Sequence, residues 1–348
     1  MAEPLLDVRR LRTQFATYRG PLTAVDHVSL SLGRSQTLAL VGESGCGKSV
    51  TALSLMRLVR QPGKIMGGEV WFDGEDLLKR TRAQMRHVRG QRIAMVFQDP
   101  LSTLNPALTI GTQIIESLRV HGVARGRQAR ERSVQLLDAM GIPAARERLR
   151  SYPHELSGGM RQRVMIAIAV SCSPELLIAD EPTTALDVTL QAQIMDLLAT
   201  IKWERGLSLL LITHDLGLVS EFADLAAVMY AGRVVEQAGV PEMLAEPLHP
   251  YTQGLLQCIP RLGRPDVSIA PIWGSVPDLV HPPPGCRFAP RCPYVMTRCT
   301  ETEPADYQVG GGRIVRCYLH EKDAQSGAST RAGTTIPRED GTGEEPKR

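Results

Sequence analysis

Residues 42–49 read GESGCGKS, a spacing that sets three glycines, a lysine and a serine where they can hold a chain of phosphates. Gly42, Gly45 and Gly47 let the backbone curl until several N–H groups point inward at phosphate oxygens. Lys48 can then reach the outer phosphates, and the Ser49 hydroxyl can ligate Mg²⁺. Glu43, Ser44, Cys46 and Val50 lie in or beside the loop and are read as nucleotide-contacting positions with it. Cys46 stands two residues before Lys48 and near a helix N-terminus, and both favour a thiolate while burial opposes it. It is therefore expected to react with maleimide and to be protected by Mg-ATP. A glycine-rich turn without a ligand is the plain alternative, and the complete GxxxxGKS pattern argues against it.

Three further groups extend the chemistry. An apolar run ends in Asp180 and Glu181, and another, LLLIT, ends in His214. Asp180 can hold the hydration shell of Mg²⁺, and Glu181 can orient and partly deprotonate an attacking water, because phosphoryl transfer depends on positioning and electrostatics. His214 can contact a terminal phosphate, although a lone histidine after a strand is more often structural. Residues 156–163, LSGGMRQR, open a helix that runs on to residue 170. Its Ser157, Gly158 and Gly159 form a second anion-binding end or, more plainly, an ordinary capped helix start.

These groups need particular elements to hold them. The apolar run at 37–41 predicts a buried strand before the loop, and residues 49–58 predict a helix after it. Residues 5–40 alternate as an antiparallel β layer does, with 69–72 returning to it. From about 99 to 171 the pattern is helical, carried by Ile114, Ile115, Leu118, Val134, Leu136, Leu137 and Met140.

Taken in order, the motifs resemble the nucleotide-binding subunits of ATP-binding cassette (ABC) transporters. LSGGM resembles their signature and the strand ending in Asp180-Glu181 their Walker B strand. Gln98 in MVFQDP resembles the Q-loop, residues 185–187 with Asp187 the D-loop, and His214 the switch histidine. The resemblance implies an α/β fold of the P-loop NTPase, ABC ATPase type. It has a mixed core sheet with helices, an antiparallel β layer and a helical subdomain inserted at about 99–171. It also implies ATP hydrolysis with Mg²⁺ held by Ser49, Gln98 and Asp180, catalysis by Glu181 and His214, and adenine stacked on Tyr18 or the nearby Phe15. The signature would face the terminal phosphate of an opposing subunit, making the working unit a dimer. The proline-rich stretch FQDPLSTLNP suits a hinge coupling phosphate to a neighbouring surface.

The C-terminal third narrows the resemblance. HPYTQ at 249–253 and PPPGCRFAPRCPYVMTRC at 282–299 look like the extension of oligopeptide and dipeptide importers, parts of which nickel importers share. The expected division is a nucleotide-binding domain at 1–258, an extension at 259–320 and a disordered tail at 321–348. Cys286, Cys292, Cys299 and Cys317 crowd this extension, separated by five, six and 17 residues. Four thiols in a proline-rich, core-poor segment suggest a metal staple, but the short knuckles of structural zinc are missing. Some peptide-transporter ATPases carry an iron–sulfur cluster here, so the resemblance implies a [4Fe–4S] site, with zinc and unliganded thiols as alternatives.

Composition agrees with these expectations. The 348 residues are 43% hydrophobic with a net charge of +3, enough for a large core and too little charge to advertise nucleic-acid binding. No apolar stretch approaches the ~18 residues of a bilayer span, and the start MAEPLLDVRR has no signal-peptide core. The expected location is the cytoplasmic face of the membrane, held through partners. These are a second, commonly different ATPase subunit, two integral membrane permease subunits and an external peptide-binding protein. A soluble cassette protein acting on nucleic acid or ribosomes is the rival, and such proteins usually carry two cassettes where this chain has one.

Overall fold

Strand β1 (Leu6–Thr17) pairs antiparallel with β2 (Gly20–Leu32), placing Leu6 opposite Leu32 and Thr17 opposite Gly20. This computed structural model describes residues 3–184, 186–258 and 272–323. The first run of the antiparallel layer ends with β2. β3 (Thr37–Val41) is buried at all five positions, the pattern of a parallel strand covered on both faces rather than an alternating one, and it joins a different sheet. After the loop comes α1 (Lys48–Leu55), and then β4 (Gly63–Phe72) returns to β1 six residues earlier than its sequence pattern indicates. β5 (Glu75–Asp76) completes the four-stranded order β2-β1-β4-β5.

A short helix, α2 (Arg82–Val88), opens with a Thr81–Gln84 capping box, and β6 (Ile93–Val96) follows. The inserted helical layer comprises α3 (Pro100–Thr103), α4 (Ile110–Val120), α5 (Gly126–Ala139), α6 (Ala145–Arg148) and α7 (Gly158–Val170). Ile114, Leu118, Leu136, Leu137 and Met140 are buried in one core, with Ile115 and Val134 packed against it.

The chain then lays down β7 (Leu176–Asp180), α8 (Val188–Arg205), β8 (Ser208–Thr213), α9 (Leu216–Phe222), β9 (Leu225–Tyr230) and β10 (Arg233–Gly239). Helices α10 (Val240–Ala245), α11 (Pro250–Gln257) and α12 (Thr297–Glu301) precede two short strands, β11 (Tyr307–Val309) and β12 (Arg313–Val315). The large sheet runs β11-β12-β10-β9-β3-β8-β7-β6, parallel from β9 to β6 and antiparallel beyond. β3 lies between β8 and β9, so the loop after it leaves the sheet at the C-terminal edge where ligands collect. β7 and β8 end at that same edge.

The extension is built into this sheet. β12 pairs with β10 through Glu236 and Val315, and Phe288 joins Tyr230 and Tyr251 in a shared apolar cluster. Among the described residues no helix is long and apolar enough to cross a membrane.

Candidate functional site

The phosphate loop is shaped by what stands behind it. Gly47 has φ 108°, and a Cβ there would lie 2.3 Å from the Ala24 carbonyl oxygen, so only glycine fits where the loop turns into α1. Lys48 is 5% exposed and donates from Nζ to the carbonyls of Gly42 at 2.8 Å and Glu43 at 3.1 Å. The Ser49 hydroxyl donates to Asp180 Oδ1 at 3.0 Å. Burial raises the Asp180 pKa, with the Ser49 bond opposing it. A buried carboxylate beside a hydroxyl is a hard-oxygen donor pair that fits Mg²⁺, whose charge would favour the ionised form.

Glu181 gathers the remaining groups. Its Oε2 accepts from Gln98 Nε2 at 3.0 Å and from Thr184 Oγ1 at 2.9 Å, and its Oε1 lies 3.5 Å from His214 Nδ1. The residue has φ 45° and is held there by its N–H donating to Ile212 O at 2.9 Å. A non-glycine residue in the left-handed region at a site mouth is strained backbone kept in place by its surroundings. Phosphate loop, Gln98, Glu181 and His214 all line one cavity of about 680 Å³.

Residues 25–184 match the ABC transporter family, and residues 235–299 match the family described as oligopeptide/dipeptide transporter, C-terminal region. The chain is 54% identical over 314 residues to a putative peptide import ATP-binding protein of Brucella abortus (strain 2308), covering 90% of this chain and 94% of that one. This chain belongs to the ABC transporter ATP-binding family. It is 50% identical to the oligopeptide transport ATP-binding protein AppD of Bacillus subtilis (strain 168), over 92% of this chain and 98% of AppD. The dipeptide transport ATP-binding protein DppD of the same strain is 46% identical over 93% and 97% of the two chains. Among solved structures, the dimeric ATP-binding cassette MJ0796 in its post-hydrolysis state with ADP and Pi superposes with TM-score 0.61 at 26% identity, covering 68% of this chain and 98% of that one. The protein is thus an ABC-type ATPase with the P-loop fold expected from its motifs.

Two expected positions, Tyr18 and Cys46, behave differently in this ABC ATPase. Tyr18 sits at the β1–β2 turn, 99% exposed and outside the cavity, whereas Phe15 lines it together with Leu22, Leu255 and Leu279. The apolar wall available to a base is therefore built by Phe15 and by the C-terminal part of the chain. Cys46 is fully buried and burial raises its thiol pKa, which opposes both the expected thiolate and easy access by maleimide. Desolvation outweighs the nearby Lys48 charge. Ser157, Gly158 and Gly159, expected to face an opposing subunit, lie outside this chain's own cavity, as does Asp187: Ser157 caps α7 by accepting from Met160 N–H, and Asp187 caps α8 by accepting from Leu190 N–H. Ser44, Gly45 and Val50 do line it. Ala185 of the D-loop and residues 324–348 of the expected tail lie outside the described residues.

The four extension cysteines come together. Cys286, Cys292, Cys299 and Cys317 line a single small cavity of about 10 Å³, walled otherwise by apolar groups such as Phe288 and Met296. Burial pushes the thiols of Cys286 and Cys317 up to about 11, and the neighbouring cysteines push in the same direction. A Cβ on Gly285 would fall 2.2 Å from the Cys299 carbonyl oxygen, so the two cysteine-bearing segments approach as only glycine permits. Among the described residues no group of three or more His, Cys, Asp or Glu side chains stands at metal-holding distance.

Sequence reasoning missed the contacts between extension and site. Arg291 forms a two-pronged ion pair with Glu43, and the Tyr251 hydroxyl accepts from the Glu43 N–H. The signal lay in CRFAPRC, where arginines interleave with cysteines, but their partners are distant in the chain.

Proposed function

We propose that this ABC ATPase powers import of di- or oligopeptides through a membrane permease. The observation that carries this is the extension, which matches the oligopeptide/dipeptide transporter C-terminal region and continues the core sheet through β12. Relatives named for peptide import at about half identity over nine-tenths of the chain support it. In this reading the protein works peripherally at the cytoplasmic face, paired with a second ATPase subunit. That pair docks on two integral membrane permease subunits fed by an external peptide-binding protein. The exposed Ser157 and Gly158 would complete the site of the opposing subunit. The cassette would end near residue 258 and the extension near 320.

Within the site, Ser49, Asp180 and Gln98 would hold Mg²⁺, which when bound neutralises charge on the phosphate oxygens. Glu181, fixed by Gln98 and Thr184, would orient the attacking water and take its proton. His214, 3.5 Å from Glu181, would contact the terminal phosphate. The decisive experiment is purification with the neighbouring membrane subunits followed by reconstitution. ATP-driven uptake of labelled di- and oligopeptides is expected. Uptake of nickel or another small solute without peptide, or failure to associate with any membrane subunit, would overturn the reading.

The thiol cavity belongs to the same proposal. Four cysteines facing one apolar cavity offer an all-thiolate donor set, and a [4Fe–4S] cluster would be held by Cys286, Cys292, Cys299 and Cys317 once they draw in from their present spacing. Its role would be structural, since ligation of distant segments makes metal binding part of folding. Anaerobically purified protein is expected to carry iron and sulfide and to absorb near ~400 nm. Stoichiometric zinc without iron would replace the cluster by a zinc staple, and absence of metal would leave ordinary thiols.

A further inference from the structure

We infer that Arg291, in the C-terminal extension, is a positioning residue for ATP hydrolysis, acting through Glu43 on the phosphate loop. Arg291 is not among the residues lining the nucleotide cavity, and its hydrogen bonds go to Glu43, Tyr230, Ile272 and Trp273 rather than to Lys48 or Glu181. What it holds is the Glu43 carboxylate, with Nη1 to Oε2 at 2.9 Å and Nη2 to Oε1 at 3.0 Å. The arginine side chain is only 5% exposed and is itself fixed, donating to Ile272 O at 3.0 Å and Trp273 O at 2.9 Å. Its guanidinium also stands 5.7 Å from the centroid of the Tyr230 ring. A pre-oriented planar fork on a carboxylate is a geometric clamp as well as a charge pair.

Glu43 is the residue through which such a clamp can be felt. Its N–H donates to the Tyr251 hydroxyl at 2.9 Å, its carbonyl accepts from Lys48 Nζ at 3.1 Å, and its carboxylate meets Arg291. Every polar group of this one residue is engaged, and one of the partners is the lysine that meets phosphate. Displacing Glu43 therefore moves the resting place of Lys48. The charge matters too. A free carboxylate in a loop that binds a polyanion repels it, and a desolvated guanidinium 2.9 Å away cancels that repulsion at short range. The inference rests on ATP as the substrate and is independent of what is transported or of any metal at the thiols.

The test uses the full chain in its reconstituted complex, with steady-state ATPase and equilibrium nucleotide binding. Arg291→Ala is expected to raise KM for ATP by about tenfold while kcat stays within about threefold, because the clamp acts on binding geometry and not on the water-activating groups. Arg291→Lys, which restores charge without the fork, should fall between wild type and Arg291→Ala. Glu43→Gln breaks the same pair from the loop side and keeps the assay decisive where Arg291→Ala folds poorly; it too must raise KM. The double variant Glu43→Gln/Arg291→Ala should be no worse than the poorer single variant, since both remove one interaction. Wild-type KM in Glu43→Gln and Arg291→Ala, or a double variant whose loss equals the product of the singles, overturns the inference. A lowered melting temperature with unchanged KM shows the arginine to be structural only and overturns it equally.

Discussion

The phosphate loop at 42–49 and the cysteine loop at 286–292 are nearly equal in length and touch each other, yet they work by opposite means. The phosphate loop acts through its backbone, so its glycines and the adjacent helix announce it locally. The cysteine loop acts through side chains sent to opposite sides. Cys286 and Cys292 face the thiol cavity, while Arg287 reaches the Asp26 carboxylate and the Ala231 carbonyl, and Arg291 reaches Glu43. A function written in backbone geometry is legible in a short motif. One written in pairs separated by 248 and 261 residues is not.

The largest effect should come from cutting the first of those arginine pins. Asp26 is buried and receives Arg287, Arg233 at 2.8 Å and His27 Nδ1 at 2.8 Å. Burial raises its pKa, and Arg233 and Arg287 outweigh that, leaving it below the ordinary carboxylate value. Asp26→Asn leaves the Arg287 guanidinium without its anion, while Arg233 keeps Glu303 at 2.6 Å, and breaking a buried pair costs about 3–5 kcal/mol. Because the folded pKa is depressed, the wild-type contribution is complete above the unfolded value of about 4 and is lost as pH falls from there through the lower folded value. Urea melts at neutral and acid pH should show Asp26→Asn less stable near neutrality and less sensitive to acid. Equal melting midpoints at neutral pH would mean that the loop is anchored by packing alone.

Glu181→Gln tests the other side of the comparison. The amide keeps the shape and the Thr184 contact but cannot take a proton, so ATP should still bind while turnover falls by ~10² or more. Near-wild-type hydrolysis in a reconstituted complex would remove Glu181 from the chemistry. Cys46 gives a smaller effect. With its thiol fully buried, maleimide should modify it at least ~10-fold more slowly in the folded chain than in urea. Rapid modification of the folded chain, blocked by Mg-ATP, would show the loop to be far more open than its packing.

Most of the catalytic architecture was legible. The strand before the loop, the helix after it, the capped start of α7 and the placement of Asp180, Glu181 and His214 at strand ends all follow from apolar runs broken by polar residues. The choice between Tyr18 and Phe15 was not. The β1–β2 pairing shifts register three times between Val8 and Gln14, and each shift changes which side chains face inward, so alternation along β1 cannot say which aromatic lines the cavity. The burial of Cys46 was hidden for another reason. Sequence shows a helix N-terminus and a lysine nearby but not the Met229 backbone and Ala24 carbonyl packed behind the loop, where burial raises the thiol pKa. The seam between β10 and β12 pairs residues about eighty positions apart and leaves no local trace.

Tyr251→Phe should give the smallest effect and divides the two loops most finely. The ring is fully buried, 4.6 Å from Tyr230 and 5.4 Å from Phe288 between ring centroids, and phenylalanine keeps that packing. Only the hydroxyl goes, and with it the acceptor for the Glu43 N–H. Burial already holds this hydroxyl well above the ordinary tyrosine pKa, so it is a neutral partner at any working pH and its loss carries no charge effect. A neutral hydrogen bond contributes about 1 kcal/mol, so KM for ATP should rise by about fivefold or less, below the rise expected for Arg291→Ala. Since hydroxyl and guanidinium hold the same residue from two sides, Tyr251→Phe/Arg291→Ala should be coupled and depart from the product of the single effects. Independent effects would mean that Tyr251 and Arg291 touch the loop without jointly setting the position of Glu43. Coupling would identify that one glutamate as the point where the cysteine loop and the phosphate loop meet.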